Sequence, residues 1–173
     1  MPQIDVEEDA LRLLGRFNVK SEPVPVDEIA KGLGARLAYE RFDENMSGIL
    51  VRFKDGNVIG INSSQAAVRQ RFSIAHEIGH LQLHQGRPMH VDHLVHVNLR
   101  RTQPPGYDPE ERDANQYAAS LLMPIPFVSA ALGRLRRAEL TAESLPGELA
   151  PRFGVSRQAM EYRLTNLGLV QPG

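Results

Sequence analysis

The chain has 173 residues and a formal net charge of −1, a length that predicts one domain with a proper core and a charge that argues against a polyanion-binding domain. It has no cysteine, which excludes disulfides, a thiol nucleophile and thiolate zinc ligands. Its start does not resemble a secretion signal and no stretch approaches the ~20 apolar residues of a membrane span, so we expect a cytoplasmic protein without membrane contact.

The first third of the chain predicts two helices and a small sheet. Apolar residues at helical spacing predict helices over residues 5–17 and 26–33, the second closed by Gly34. Three strands with a turn at residues 54–57 are predicted, and they cover residues 35–40, 47–53 and 58–61. We predict an α+β fold in which a small three-stranded antiparallel sheet packs on an active-site helix, with a C-terminal helical region resembling a helix-turn-helix.

The active-site helix is expected to start near Gln65, after capping residues at 62–64, and to contain a His-Glu-x-x-His motif. His76 and His80 lie one helical turn apart, so both imidazoles can bind one divalent ion. Glu77 is about 100° around the helix from His76 and can act as general base on a water molecule. Gly79 costs about 1 kcal/mol relative to alanine in a helix interior, which predicts close packing of a substrate strand or the next helix.

Residues 85–107 are predicted to form a long excursion, with a possible strand at residues 90–98. Its histidines are His90, His93 and His96. One of them could hydrogen-bond a developing oxyanion, but isolated loop histidines are more often non-catalytic. His84 has the spacing to reach the metal or the substrate, and we interpret it as an ordinary helix-end histidine. The role of the excursion stays open.

A second informative helix is predicted from Asp108 to Pro124. Glu111 is its candidate third metal ligand, because two histidines alone would bind zinc poorly. Asn115 lies one turn later on the same face and is placed to hold a ligand imidazole by a hydrogen bond. Asp108 and Glu111 also fit a capping box, which would turn Glu111 back onto its own helix.

The choice of the third ligand therefore has alternatives, which are Asp113 and Glu110. The absence of cysteine favours a catalytic rather than a structural metal, because catalytic zinc sites use His and Glu and keep one position open for water. We predict that His76, His80 and Glu111 bind Zn²⁺, and that Glu77 takes a proton from the water. The substrate is expected to lie extended along the strand at residues 58–61.

Residues 71–84 and 114–124 resemble the ImmA/IrrE family of metallopeptidases. The likeness covers roughly residues 22–124, including the strands at residues 47–50 and 59–62, and more loosely the tail. It implies a gluzincin-like fold, zinc on His76, His80 and Glu111, and Glu77 as the catalytic base. It also implies a substrate, which is a helix-turn-helix repressor or antitoxin, often of the Xre type, cleaved to relieve repression. Asp113 stands where relatives commonly carry Glu.

The tail suggests a competing interpretation. Residues 148–160 have the Ala, Gly and Ser spacing of a helix-turn-helix unit, which would make the protein a DNA-binding or partner-binding regulator without proteolysis. Pro151 falls inside the first of these helices and the charge is mixed, so we favour simple packing of the two helices. A third possibility is a protein that sequesters the repressor without cutting it. The predicted division is a metallopeptidase-like domain, residues 1–124, with a helical region, residues 125–173, packed on it.

Overall fold

The computed structural model describes residues 5–84, 88–93, 108–135 and 143–170, and it has an α+β fold. Within these ranges the helices are α1 Val6–Arg16, α2 Val26–Gly32, α3 Ala67–Leu83, α4 Pro109–Leu122, α5 Ile125–Arg134, α6 Leu145–Phe153 and α7 Arg157–Asn166. The strands are β1 Ala35–Glu40, β2 Met46–Phe53, β3 Gly56–Asn62 and β4 Met89–His93. Each helix and strand predicted before residue 84 is present, with bounds shifted by one or two residues. The long helix predicted from Asp108 is α4.

The sheet differs from the prediction. It has four strands in the order β1-β3-β2-β4 and is mixed, because β1 pairs with β3 in parallel while β2 pairs with β3 and β4 in antiparallel. The prediction of a three-stranded antiparallel sheet is therefore wrong in strand number and in the direction of one pair. Local spacing identifies the β2–β3 hairpin, but the partner of β1 depends on where the chain between β1 and β2 crosses the end of β3.

That crossing is stabilised by the buried side chain of Asn62 at the end of β3. Its Nδ2 donates to the carbonyl of Met46 at 2.7 Å and to that of Asp43 at 3.3 Å, and its Oδ1 accepts from the amide of Phe42 at 3.4 Å. One amide thus satisfies the backbone groups of a loop that passes over the end of β3. Asn62 was expected to help cap α3, but the N-cap of α3 is Ala66, without a side-chain hydrogen bond.

The topology also corrects the expected position of the substrate. β3 is hydrogen-bonded to β1 on one side and to β2 on the other, over most of its length. A strand with two neighbours cannot accept an added peptide strand, because its backbone groups are already paired. The placement of substrate along residues 58–61 is therefore wrong.

The chain divides into two compact units, the first of which comprises residues 25–118. Its core lies between α3 and the sheet, where Ile74 and Ile78 of α3 and Leu50, Ile59 and Ile61 of the strands are buried. Every residue of α3 from Phe72 to His80 is buried. This helix is therefore covered on all sides, which explains why its histidines and its glutamate lie away from bulk water.

The second unit comprises residues 1–24 and 119–173. Its buried Arg163 in α7 donates to both oxygens of Glu7 in α1 and, at 2.9 Å, to the carbonyl of Met123. Ser120 donates to Glu7 at 2.7 Å. Burial alone would raise the pKa of Glu7, but the hydrogen bond and charge of Arg163 lower it overall. This network links the first helix of the chain to its last described helix. The domain boundary predicted after residue 124 stays a prediction.

Together, α4 and α5 form the one stretch of the described residues, Pro109–Arg134, that is long and apolar enough to cross a membrane by length and composition alone. Of its most apolar segment, 56% is buried inside the protein. Core helices commonly have this composition because both of their faces meet other apolar residues. The expectation of a cytoplasmic protein stays a prediction.

Candidate metal centre

Four side chains from three elements meet at one end of the 25–118 unit. They are His76 and His80 of α3, His90 of β4 and Glu111 of α4, and their donor atoms all lie within 4.8 Å of one another. Histidine nitrogens and a carboxylate are the donors that zinc and similar divalent ions take in catalytic sites. Among the described residues this is the one cluster of its kind.

Three of the residues have donor atoms spaced as around one small ion. The Nε2 atoms of His76 and His80 are 3.1 Å apart, Glu111 Oε2 lies 3.4 Å from His76 Nε2, and Glu111 Oε1 lies 3.3 Å from His80 Nε2. Zinc–nitrogen bonds of 2.0–2.1 Å in a tetrahedron would separate neighbouring ligand atoms by about 3.3 Å. The residues predicted as ligands are therefore brought together at distances that suit one small cation.

The approach of α4 to α3 depends on Gly79. A Cβ atom at this position would lie 3.1 Å from both Cα and the carbonyl oxygen of Ala114, and 3.2 Å from Cβ of Tyr117. The neighbour expected from the glycine is thus the next helix rather than a substrate strand. Because Gly79 precedes His80 and Ala114 follows Glu111 by three residues, this close contact sets the distance between the imidazole and the carboxylate.

Glu111 faces the histidines. At the start of α4, Oδ1 of Asp108 accepts from the amide of Glu110 at 3.0 Å. Asp113 pairs with the exposed Arg112 at 2.9 Å. Neither Asp113 nor Glu110 belongs to the cluster. Of the three carboxylates weighed from the sequence, the structure brings Glu111 to the histidines.

The electrostatics of the cluster favour the protonation states that bind metal. Burial lowers the pKa of His80 to about 4, so its imidazole is neutral at pH 7. Burial alone would raise the pKa of Glu111, but the neighbouring imidazoles of His76, His80 and His90 hold it far below its usual range. A neutral imidazole and an ionised carboxylate are the forms that coordinate a divalent cation.

Asn115 contacts a ligand from behind. Its Oδ1 lies 3.1 Å from Nδ1 of His76. An amide oxygen can only accept, so Nδ1 of His76 carries the proton and Nε2 keeps its lone pair facing the cluster. Asn115 is buried and lies one turn after Glu111 on α4, so this helix provides both a carboxylate for the ion and a partner for the imidazole.

The end of α3 is held by two contacts within the same unit. Arg52 of β2 donates from Nη2 to the carbonyls of His80 at 2.9 Å and His84 at 2.7 Å. His84 donates from Nε2 to the carbonyl of Glu110 at 3.0 Å and is not part of the cluster. A guanidinium at a helix C-terminus adds hydrogen bonds to the last carbonyls and complements the helix dipole.

Glu77 is fully buried and lies against β2. A Cβ atom on Gly48 would be 3.1 Å from its Oε1. The register of β2 with β4 is irregular between Met46 and Gly48, so the sheet is distorted beside this carboxylate. Glu77 directly follows His76 in α3 but is not a member of the cluster.

His90 is the member of the cluster that sequence reasoning did not select. It was one of three histidines in a segment with weak patterning, and its only distinguishing signal was the possible strand at residues 90–98. The structure has β4 at residues 89–93 and pairs His90 with Leu50 of β2. Residues 85–87 and 94–107, including His96, and the side chain of His93 lie outside the described part of the chain.

Two buried polar atoms test whether a metal ion fits in this cluster. His90 Nε2 and Glu111 Oε1 are 2.8 Å apart, yet neither makes a hydrogen bond of regular geometry with any described residue. Buried polar atoms without partners are costly, and a shared cation would satisfy both. The donor types, their spacing and these two atoms together fit a divalent metal ion.

Comparison with known proteins gives one family. The model of the IrrE N-terminal-like domain matches residues 30–165. The radiation response metalloprotease IrrE of Deinococcus radiodurans is 38% identical over 110 residues, which are 63% of this chain and 31% of that protein. The structure of a Mycobacterium tuberculosis transcriptional regulator aligns with a TM-score of 0.59 at 17% identity, covering 93% of this chain and 46% of that one. This chain thus spans less than half the length of either relative, and the structural match speaks for the fold alone.

Proposed function

The chain belongs to the ImmA/IrrE family through its IrrE N-terminal-like domain, and from this premise we propose that it is a metal-dependent peptidase that uses zinc. The observation that carries the proposal is that Glu111 of α4 meets His76 and His80 of α3, the helix that also bears Glu77, at mutual distances of 3.1–3.4 Å. A carboxylate beside three such donors is the arrangement of hydrolytic zinc sites.

In the proposed mechanism each residue has one task. His76, His80 and Glu111 would hold the ion, which when bound supplies Lewis acidity and lowers the pKa of a water molecule from about 15.7 toward 7. Glu77 accepts the proton of the attacking water and later gives it to the leaving amine. Asn115 keeps His76 in the tautomer that presents Nε2 to the ion.

We further propose that the substrate is a helix-turn-helix repressor or antitoxin of the Xre type, and that its cleavage relieves repression. The resemblance of residues 71–84 and 114–124 to the ImmA/IrrE family supports this proposal. The name of the Deinococcus relative, a radiation response metalloprotease, agrees with a role in a stress response.

The test uses a helix-turn-helix repressor of the Xre type as the candidate substrate. The zinc-loaded protein is incubated with it, with and without a chelator, and the fragments are measured by mass spectrometry. We expect cleavage with metal, no cleavage with chelator, and no cleavage by Glu77→Gln. The last variant must still bind zinc, because it keeps all three ligands. Intact repressor after long incubation with the zinc-loaded wild type would contradict proteolysis and favour sequestration.

The second candidate function is DNA or partner binding by the C-terminal helices. α6 and α7 are joined by residues 154–156, where Gly154 adopts the left-handed conformation at φ 63°. A short turn containing Gly between two helices is the pattern of a helix-turn-helix. The same Glu77→Gln variant separates the two functions, since a binding module would keep its full regulatory effect without the carboxylate.

A further inference from the structure

We propose that His90 is a fourth protein ligand of the metal centre in the resting protein, and that β4 must withdraw it before a peptide can be cleaved. This inference rests on the proposed function and adds a controlling element to it. The three-ligand mechanism does not need His90, but the structure places its imidazole inside the cluster.

The position of the imidazole is well defined by its neighbours. His90 is 9% exposed, and its ring centroid lies 3.8 Å from that of His80 with the planes tilted by 31°. Its ring is 6.3 Å from that of His76. Nε2 is 2.8 Å from Glu111 Oε1. The side chain therefore reaches the cluster from the sheet and lies against the ring of His80.

The contact with Glu111 is better explained by a shared cation than by a hydrogen bond. At 2.8 Å a well-aimed N–H would bond the carboxylate, but neither His90 Nε2 nor Glu111 Oε1 has a hydrogen bond of regular geometry among the described residues. Two buried donor atoms that are close but do not aim at each other can both aim at a third point. His76 and His80 already direct their Nε2 atoms to that region.

Four protein donors would close the site. Catalytic zinc sites keep one position for water or substrate, whereas sites with four protein ligands are structural. If His90 occupies the fourth position, the zinc-loaded wild type cleaves only during the time in which β4 has released the imidazole, and therefore slowly. His90 leaves as a neutral imidazole and a water molecule replaces it, so no proton or electron is gained or lost in the exchange.

β4 is suited to such a movement. It has five residues and lies at the end of the strand order, where β2 is its one partner among the described strands. An edge strand gives up backbone hydrogen bonds on one side only when it moves. Met89, the residue before His90, is 56% exposed, so the start of the strand is not anchored by burial.

The first experiment counts the imidazoles on the ion in the unaltered protein. The full chain is loaded with Zn²⁺ and examined by X-ray absorption spectroscopy. Three imidazoles bound to zinc are expected, and a count of two would overturn the proposal. This measurement does not depend on the folding of any variant.

The second experiment measures Zn²⁺ affinity by chelator competition for His90→Ala, His90→Gln and the matched control Met89→Ala. Changing a residue that only orients a ligand typically weakens metal binding about 10–100-fold, so the loss of a ligand should weaken it by more than that. At saturating Zn²⁺ both His90 variants should cleave substrate faster than wild type, while Met89→Ala should match wild type in affinity and rate. Unchanged affinity, or cleavage lost at saturating metal, would overturn the proposal.

These outcomes are distinguishable from a failure of the proposed function. If the peptidase assignment is wrong, wild type and variants alike show no metal-dependent cleavage, and the X-ray absorption count still reports on His90. If the peptidase assignment is right but His90 is not a fourth ligand, wild type cleaves with metal and the His90 variants gain no activity.

Discussion

Gly79→Ala tests the contact on which the metal centre depends. In the structure the added Cβ would lie 3.1 Å from Cα and the carbonyl oxygen of Ala114, closer than the 3.4–4 Å of ordinary contact. Both atoms belong to the backbone, which cannot turn away as a flexible side chain could. α4 must therefore move from α3 by a few tenths of an ångström.

The expected magnitude is a balance of two opposing contributions to the free energy of unfolding. Replacing glycine by alanine inside a helix stabilises the protein by about 1 kcal/mol, whereas forcing an extra methyl into a packed contact destabilises it by about 1–3 kcal/mol. The net expectation is a decrease of up to about 2 kcal/mol in the free energy of unfolding. The metal is more sensitive, because ligand distances tolerate only about 0.2 Å. Moving Glu111 from its 3.3 Å spacing to His80 should therefore lower zinc affinity about 10–100-fold, as for other changes that misplace ligands.

The assay compares Gly79→Ala with a matched control, Gly15→Ala. Gly15 lies in α1 and an added Cβ there meets nothing within 4 Å, so the same chemical change should stabilise by up to about 1 kcal/mol and leave zinc affinity unchanged. Unfolding in urea without metal gives the stabilities, and chelator competition gives the affinities. If Gly79→Ala stabilises as Gly15→Ala does and binds zinc as wild type does, the helix contact does not set the ligand geometry.

Three other changes test the remaining parts of the site. Gly48→Ala places a Cβ 3.1 Å from Oε1 of Glu77, so cleavage should fall at least about tenfold while zinc affinity is retained; weaker zinc binding would mean a general distortion. Asn115→Ala removes the partner of His76 Nδ1 and should weaken zinc binding about 10–100-fold, whereas Asn115→Asp keeps an acceptor and should bind more tightly than Asn115→Ala. The pKa of His80 is about 4 when folded and 6.5 ordinarily, so the unfolded chain binds the proton first as pH falls. The free energy of unfolding of the metal-free protein should therefore fall by at most about 3 kcal/mol as the pH is lowered from 6.5 to 4. If it changed with pH no more than that of the His80→Gln variant, the burial argument would be contradicted.

Local sequence patterns predicted the helices and the hairpin because their causes are local. Helical spacing, Gly34 after α2 and Asp108 with Pro109 before α4 each act within a few residues of the element they define. The partner of β1 was missed because it depends on Asn62, whose side chain holds a loop about 20 residues earlier in the chain. Asn62 fits both a local cap and a distant anchor, and only the tertiary structure separates the two.

The metal centre shows the same limit more sharply. His76 and His80 are paired by the helix itself, so their convergence is readable from a four-residue spacing. Glu111 could have capped its own helix, and its position beside the histidines follows from the close packing of Gly79 on Ala114, which no spacing along the chain encodes. His90 comes from a strand whose pairing with β2 is decided by the sheet, and the nearby His93 and His96 left no local reason to prefer one of the three histidines. The more distant the element that contributes a donor, the less the sequence reveals of it, so the residue that would control access to the ion is the one that pattern analysis had least reason to choose.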